Sequence, residues 1–242
     1  MSVYAVMVCG GSGTRMGGDV PKQFMLLDGK PVLMHTLQKF SGCRIVLVLP
    51  AEQIQYWRGL CRAYGCQVEH QVVAGGDTRT DSVLCGLRHV PDDAVVAIHD
   101  GVRPLLSRQL IDRCFSEAQQ YGSAIPAIEC TDSIRCDGHA VERSRYTLVQ
   151  TPQTFLAAKI KEAYDFCTSI AQIEADNSTT AIMQTEQPSS TQTEQIPSTQ
   201  SFTDDATVFE RAGYHIHLTK GERGNIKITL PVDLKIAEAL LH

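Results

Sequence analysis

Residues 3–23, VYAVMVCGGSGTRMGGDVPKQ, join an apolar run of strand length to a glycine-rich turn and then to a proline and a lysine. A short, continuous apolar run bounded by a turn is the pattern of a strand buried on both faces, so Val3–Val8 reads as an inner strand. Glycines at the carboxyl end of such a strand let backbone N–H groups approach a phosphate closely. The spacing is G-x-G-x-x-x-G, one residue off the dinucleotide fingerprint, and the G-K-[ST] ending of a P-loop is missing. A bare turn of this kind also occurs with no function. Arg15 and Lys22, a planar forked cation and a point charge close together, argue instead for a polyphosphate.

Outward from this turn, strand-length apolar runs alternate with helical spacings. Pro31–Phe40 reads as a helix with proline in its first turn, Ile45–Leu49 as a strand, and Ala51–Gly65 as a helix stopped by Gly65. Val68–Val73 and Ala94–Ile98 read as strands around a helix at Thr80–Val90. Ser107 is the expected N-cap of a helix to Tyr121, with Gly122 after its end and Ala124–Ile128 as the next strand. Apolar strands separated by helices predict an α/β fold: a single Rossmann-like domain whose mostly parallel sheet is covered on both faces. Residues 129–147 are polar and aperiodic, and read as an extended hairpin or arm. Residues 168–201 are low in complexity, with TEQPSSTQ nearly repeated as TEQIPSTQ, and read as a flexible insertion. Asp204–Ala212 reads as a helix, Ile216–Leu218 and Ile226–Thr229 as strands, and Pro231–Leu241 as a final helix.

The 242 residues carry a net charge of −5, which excludes a nucleic-acid-binding surface or attraction to an anionic membrane as the expected mode of action. Nine scattered cysteines without a C-x-x-C pair fit neither a disulfide framework nor a zinc site. With no signal segment or membrane span apparent, the expectation is a cytoplasmic protein.

Five ordered segments carry a family resemblance: GGSGTRMGGDVPKQF (10–24), GGDTRTDSVLCGL (75–87), HDGVRP (99–104), LVQTPQTF (148–155), and FTDDATVFE (202–210) followed by GNIKITLPVDLKIAE (224–238). Together they resemble the cytidylyltransferases that act on 2-C-methyl-D-erythritol 4-phosphate. The resemblance implies transfer of CMP from CTP to a polyol phosphate with release of pyrophosphate, a projecting β-arm, and a homodimer. A phosphate with a second pKa near ~6 is already an ionised nucleophile at neutral pH, so no general base is required. The task is to bring two polyanions together, which calls for Arg, Lys and Mg²⁺.

The resemblance assigns Arg15 and Lys22 to the α-phosphate, Lys227 to the acceptor phosphate, and Arg143 to the same phosphate from the partner's arm, with Arg145 as the competing match. Gly10, Gly11, Ser12, Gly13 and Thr14 would cradle CTP, with Gly75, Gly76, Asp77 and Ser82 reading its base and ribose. Asp100, Arg103, Thr151 and Thr203 would line the acceptor pocket, Asp100 also serving as a magnesium ligand. Arg79 and Asp81 read as partners of each other, and His99 as a packed or hydrogen-bonding residue. Gly101-Val102 stands where the family often has two alanines, and a valine there also occurs in enzymes using ribitol 5-phosphate. Two acceptors therefore stay open, as does a nucleotide-binding module without turnover.

Overall fold

The computed structural model of the chain describes residues 1–10, 20–181 and 202–241. It begins with β1 (Val3–Val8), the hairpin strands β2 (Leu26–Leu27) and β3 (Lys30–Pro31), and helix α1 (Val32–Lys39). Strands and helices then alternate: β4 (Arg44–Leu49), α2 (Ile54–Tyr64), β5 (Gln71–Ala74), α3 (Arg79–Leu87), β6 (Val95–Asp100), α4 (Arg108–Tyr121) and β7 (Ser123–Glu129). The short pair β8 (Arg135–Cys136) and β9 (His139–Ala140) precedes β10 (Thr147–Val149), β11 (Gln153–Leu156) and the long helix α5 (Ala157–Ala181). Helix α6 (Asp205–Arg211), β12 (Leu218–Lys220) and α7 (Pro231–Leu241) follow.

The main sheet has the order β10-β7-β11-β6-β1-β4-β5, with β12 also paired to β7. Strands β6, β1, β4 and β5 are mutually parallel. Because successive side chains on a strand point to opposite faces, one strand feeds two cores. Tyr4, Val6 and Val8 of β1 enter a cluster with Val83 of α3, Tyr164 of α5 and Phe209 of α6. Ala5 and Met7 of β1, with Cys9 just beyond it, enter another with Leu37 of α1, Trp57 of α2 and Phe115 of α4. The mostly parallel α/β sheet with helices on both faces is thus present.

Several expected boundaries shift. The strand expected at Val68–Val73 is Gln71–Ala74, and the one at Ile216–Leu218 is Leu218–Lys220. Ile226–Thr229 is no strand: Ile226 N–H turns back to Gly224 O, and Ile228 N–H alone reaches across to Val102 O. Its apolar spacing reflects Ile228, buried in a third cluster with Leu27, Val32, Val102 and Ala237. Strand β11, within a segment whose reading stopped at its motif, runs antiparallel between β6 and β7. Helix α5 continues to Ala181, past the expected start of the insertion at Thr168, while 182–201 lie outside the described residues. In the arm, β8 and β9 form a hairpin closed by Asp137 and Gly138, both at positive φ (49° and 82°). That pair suits a two-residue turn joining right-twisted strands.

Helix α3 lies so close to the sheet that a Cβ on Gly86 would come within 2.5 Å of Val6 Cγ1 and 3.0 Å of Val48 Cγ2. Gly86→Ala should therefore destabilise the protein by about 1–3 kcal/mol despite alanine's better helix propensity. Urea unfolding at fixed pH measures it, and an unchanged or raised midpoint would show that the sheet yields easily.

Candidate active site

β1 and β6 are adjacent and parallel, in register from Val3↔Val95 to Val8↔Asp100. Their carboxyl ends therefore open together, at the edge where α/β sheets bind ligands. Asp100 is buried there and carries two cations on one oxygen: Arg103 Nε at 3.2 Å and Lys227 Nζ at 3.1 Å from Oδ2. Burial alone would raise its carboxyl, but the charges of Lys227, Arg103 and Arg79 outweigh that and hold it well below the usual carboxylate range. The cluster is a fixed, ionised carboxylate flanked by positive groups.

Lys227 comes from a loop that has no ladder of its own, so other contacts hold it. Glu222 binds the N–H and hydroxyl of Ser107, the N-cap of α4, where a helix terminus favours negative charge. Gln150 Nε2 donates to Glu222 O (2.8 Å), and its Oε1 accepts from Glu222 N–H (3.1 Å). Asn225, fully buried, donates to Thr151 O (2.8 Å), and Arg103 Nη1 donates to Asn225 O (2.8 Å). The arginine that touches Asp100 thus also holds the loop that brings Lys227 to it.

Lys22 opens a single turn, Lys22–Phe24, in which Gln23 Nε2 donates to Cys9 O (3.3 Å) and to Gln53 Oε1 (2.7 Å). Phe24 stacks on Trp57, with ring centroids 5.9 Å apart. Burial and then Asp100 push the Cys9 thiol well above its ordinary range, while the Gly101 amide and the Lys22 charge pull the other way. Both Lys22 and Asp100 are therefore felt at the same sulfur.

Beside these turns, Ser82 in the first turn of α3 gathers the surrounding glycines. A Cβ on Gly75 would meet Ser82 Oγ at 2.7 Å and one on Gly10 would lie 3.6 Å from it, while Ser82 Oγ donates to Gly76 O (3.4 Å). Asp77 is exposed just before Thr78, whose side chain forms a capping box with Asp81. Arg79 pairs with Asp205 and not with Asp81: its two terminal nitrogens reach Oδ1 and Oδ2 of that fully buried carboxylate. A partner 126 residues away is outside what local spacing can suggest. Gly11, Ser12, Gly13, Thr14 and Arg15 lie outside the described residues.

Thr151 is buried and hydrogen-bonded to His99 Nδ1 (2.9 Å) and to the N–H of Asp100 (3.2 Å). Thr203 is exposed beside Asp204, the N-cap of α6. Arg143 sits on the arm with Nη1 on Thr131 O (2.6 Å) and is not part of the Asp100 cluster. Gln153 had no role in the sequence reading, yet its Oε1 accepts from the N–H groups of Asp205 and Ala206 and its Nε2 donates to Asp204. Its place in the segment LVQTPQTF was its only available signal.

The departure at Gly101 has a packing cause. A Cβ there would lie 2.2 Å from Cys9 Sγ and 3.0 Å from Leu33 Cδ1. Gly101→Ala should destabilise by about 1–3 kcal/mol, and Cys9→Ala in the same chain should recover most of that loss. Chemical denaturation of the double-mutant cycle checks this, and strictly additive losses would break the pairing.

The chain matches the family model described as IspD, 2-C-methyl-D-erythritol 4-phosphate cytidylyltransferase, over residues 3–190 and 182–242. It is 45% identical to the 2-C-methyl-D-erythritol 4-phosphate cytidylyltransferase of Porphyromonas gingivalis over 98% of this chain and 97% of that one. Identity to the protein of the same name from Phocaeicola vulgatus is 40%, over the full length of both chains. The crystal structure of the Thermus thermophilus enzyme superposes with a TM-score of 0.71 at 27% identity, covering 99% of this chain and 98% of that one. With its fold, its ordered motifs and these relatives in agreement, the chain belongs to the 2-C-methyl-D-erythritol 4-phosphate cytidylyltransferase family.

Proposed function

We propose that this protein transfers CMP from CTP to the phosphate of 2-C-methyl-D-erythritol 4-phosphate, releasing pyrophosphate. The observation that carries the reading is the pairing of Lys227 and Arg103 with Asp100 at the carboxyl ends of β1 and β6, with the charge of Lys22 felt at the neighbouring Cys9. In a chain of net charge −5, such a gathering of cations suits two anionic reactants. The acceptor phosphate attacks the α-phosphorus in line with departing pyrophosphate. Lys22, with Arg15, neutralises charge developing at the α-phosphate, and Lys227 draws the acceptor phosphate alongside. Gly10, Gly75, Gly76, Asp77 and Ser82, with the loop residues Gly11, Ser12, Gly13 and Thr14, hold the nucleotide. Asp100, Arg103, Thr151 and Thr203 hold the polyol.

Magnesium fits the donor set in one way. The described residues contain no cluster of three potential ligands, while Asp100 offers one buried, ionised carboxylate. Mg²⁺ is commonly held by one or two carboxylates together with substrate phosphates. Asp100 would hold it, and the ion would screen phosphate charge. Among the described residues no helix is long and apolar enough to cross a membrane.

Lys22→Ala should lower kcat by ~10²-fold or more with a smaller change in the KM for CTP. Pyrophosphate release with each acceptor reads this, and turnover only with ribitol 5-phosphate would overturn the acceptor assignment. A loss confined to KM would make Lys22 a binding group alone.

The arm supports a second element of the proposal, a homodimer in which Arg143 serves the neighbouring site. Tyr146, Leu148 and Val149 expose apolar surface at the base of the arm, where a second copy would cover them. Mixing Lys22→Ala and Arg143→Ala protomers should then restore about a quarter of wild-type turnover, because half the dimers carry one intact site of two. Activity that stays at the level of the separate variants would exclude a shared site. Residues 182–201 carry none of these groups and have no part in the chemistry.

A further inference from the structure

His99 lies beneath the acceptor side of the crevice and is completely buried, its ring 4.9 Å from that of Phe40. Its Nε2 is 3.3 Å from Arg103 O and its Nδ1 is 2.9 Å from Thr151 Oγ1. A carbonyl oxygen can only accept, so Nε2 must carry the proton. No carboxylate is hydrogen-bonded to either nitrogen of the enclosed ring, and burial opposes a charged ring more strongly than the nearby Asp100 favours one, with Arg103 and Lys227 adding to the opposition. A neutral ring with its proton on Nε2 leaves Nδ1 bare, and Thr151 must turn its hydroxyl proton toward it. The threonine oxygen then accepts from the N–H of Asp100 at 3.2 Å.

This chain of donors and acceptors runs in one direction only. We propose that His99 is a positioning residue of this site: it braces the backbone on both sides of Asp100 and commits the Thr151 proton, so that toward the substrate Thr151 acts solely as an acceptor. The threonine would then recognise a hydroxyl of the polyol, which can donate, and not its ionised phosphate, which cannot. The inference rests on the reading that Asp100 and Thr151 face the acceptor. It deepens that reading by assigning polarity, and it explains why a histidine that transfers no proton stands next to the carboxylate.

Two substitutions separate the two ring nitrogens. In His99→Asn the side-chain oxygen can replace Nδ1 as the acceptor for Thr151, whereas in His99→Gln the longer amide can replace the Nε2 donor to Arg103. His99→Gln should raise the KM for the polyol phosphate about tenfold relative to His99→Asn, the effect of one hydrogen bond, with the KM for CTP the same in both. The reverse order, or equal values, would overturn the proposal. Should either variant fail to fold, ¹⁵N-histidine NMR of the wild-type protein without substrates reads the tautomer directly. A proton found on Nδ1 of His99 sinks the inference even if the enzyme is active. A wild-type enzyme without cytidylyl transfer but with the Nε2–H tautomer sinks the functional reading and leaves the bond polarity standing.

Discussion

Asp100 ends a buried strand as an ionised carboxylate, a state that burial opposes and only neighbouring cations can maintain. Much of the architecture around it serves that requirement. Arg103 reaches it from the following turn, and Lys227 from a loop more than a hundred residues later. That loop is held in turn by Glu222 on the N-terminus of α4 and by Gln150 and Asn225 beneath it. Removing one member would leave a buried charge or amide without its partner, which costs more than the bond itself contributes. The cluster is therefore defined as a unit. The same positive groups that stabilise Asp100 are those a pair of phosphorylated substrates would meet.

A second constraint works through volume. The turn after β1 passes against the turn after β6, and Cys9 and Gly101 meet at that point. The space removed at one position is filled by sulfur from the other, so the motif's change from alanine to glycine does not open the site. Close approach recurs at Gly75 and Gly86, where the backbone is drawn against Ser82 and against Val6 of β1. These contacts set α3 and the turn before it at the mouth of the crevice. A second buried ion pair, Arg79 with Asp205, joins α3 to the segment carrying Thr203. Gln153 adds three hydrogen bonds to the same junction. Segments proposed to read different substrates thus share one rigid wall.

What was legible from residues alone was whatever depends on near neighbours. Alternation of apolar runs with helical spacing determined the α/β class, because each strand must cover two faces and each helix one. Ser107 and Gly122 announced the ends of α4 through the backbone groups a helix leaves unpaired. The polar, aperiodic run 129–147 announced an extended hairpin or arm, and the structure put its turn at Asp137 and Gly138. The ordered motifs pointed to Lys22, Asp100, Arg103 and Lys227 before their positions were known. Tertiary structure decided what depends on distant chain segments meeting. It placed β11 antiparallel inside a parallel sheet, turned Ile226–Thr229 from an expected strand into a strap, and gave Arg79 a partner 126 residues away. It also set the direction of hydrogen bonding through His99. Local spacing encodes propensity and periodicity, but a buried charge or polar atom takes its partner from whatever the completed fold brings within about 3 Å.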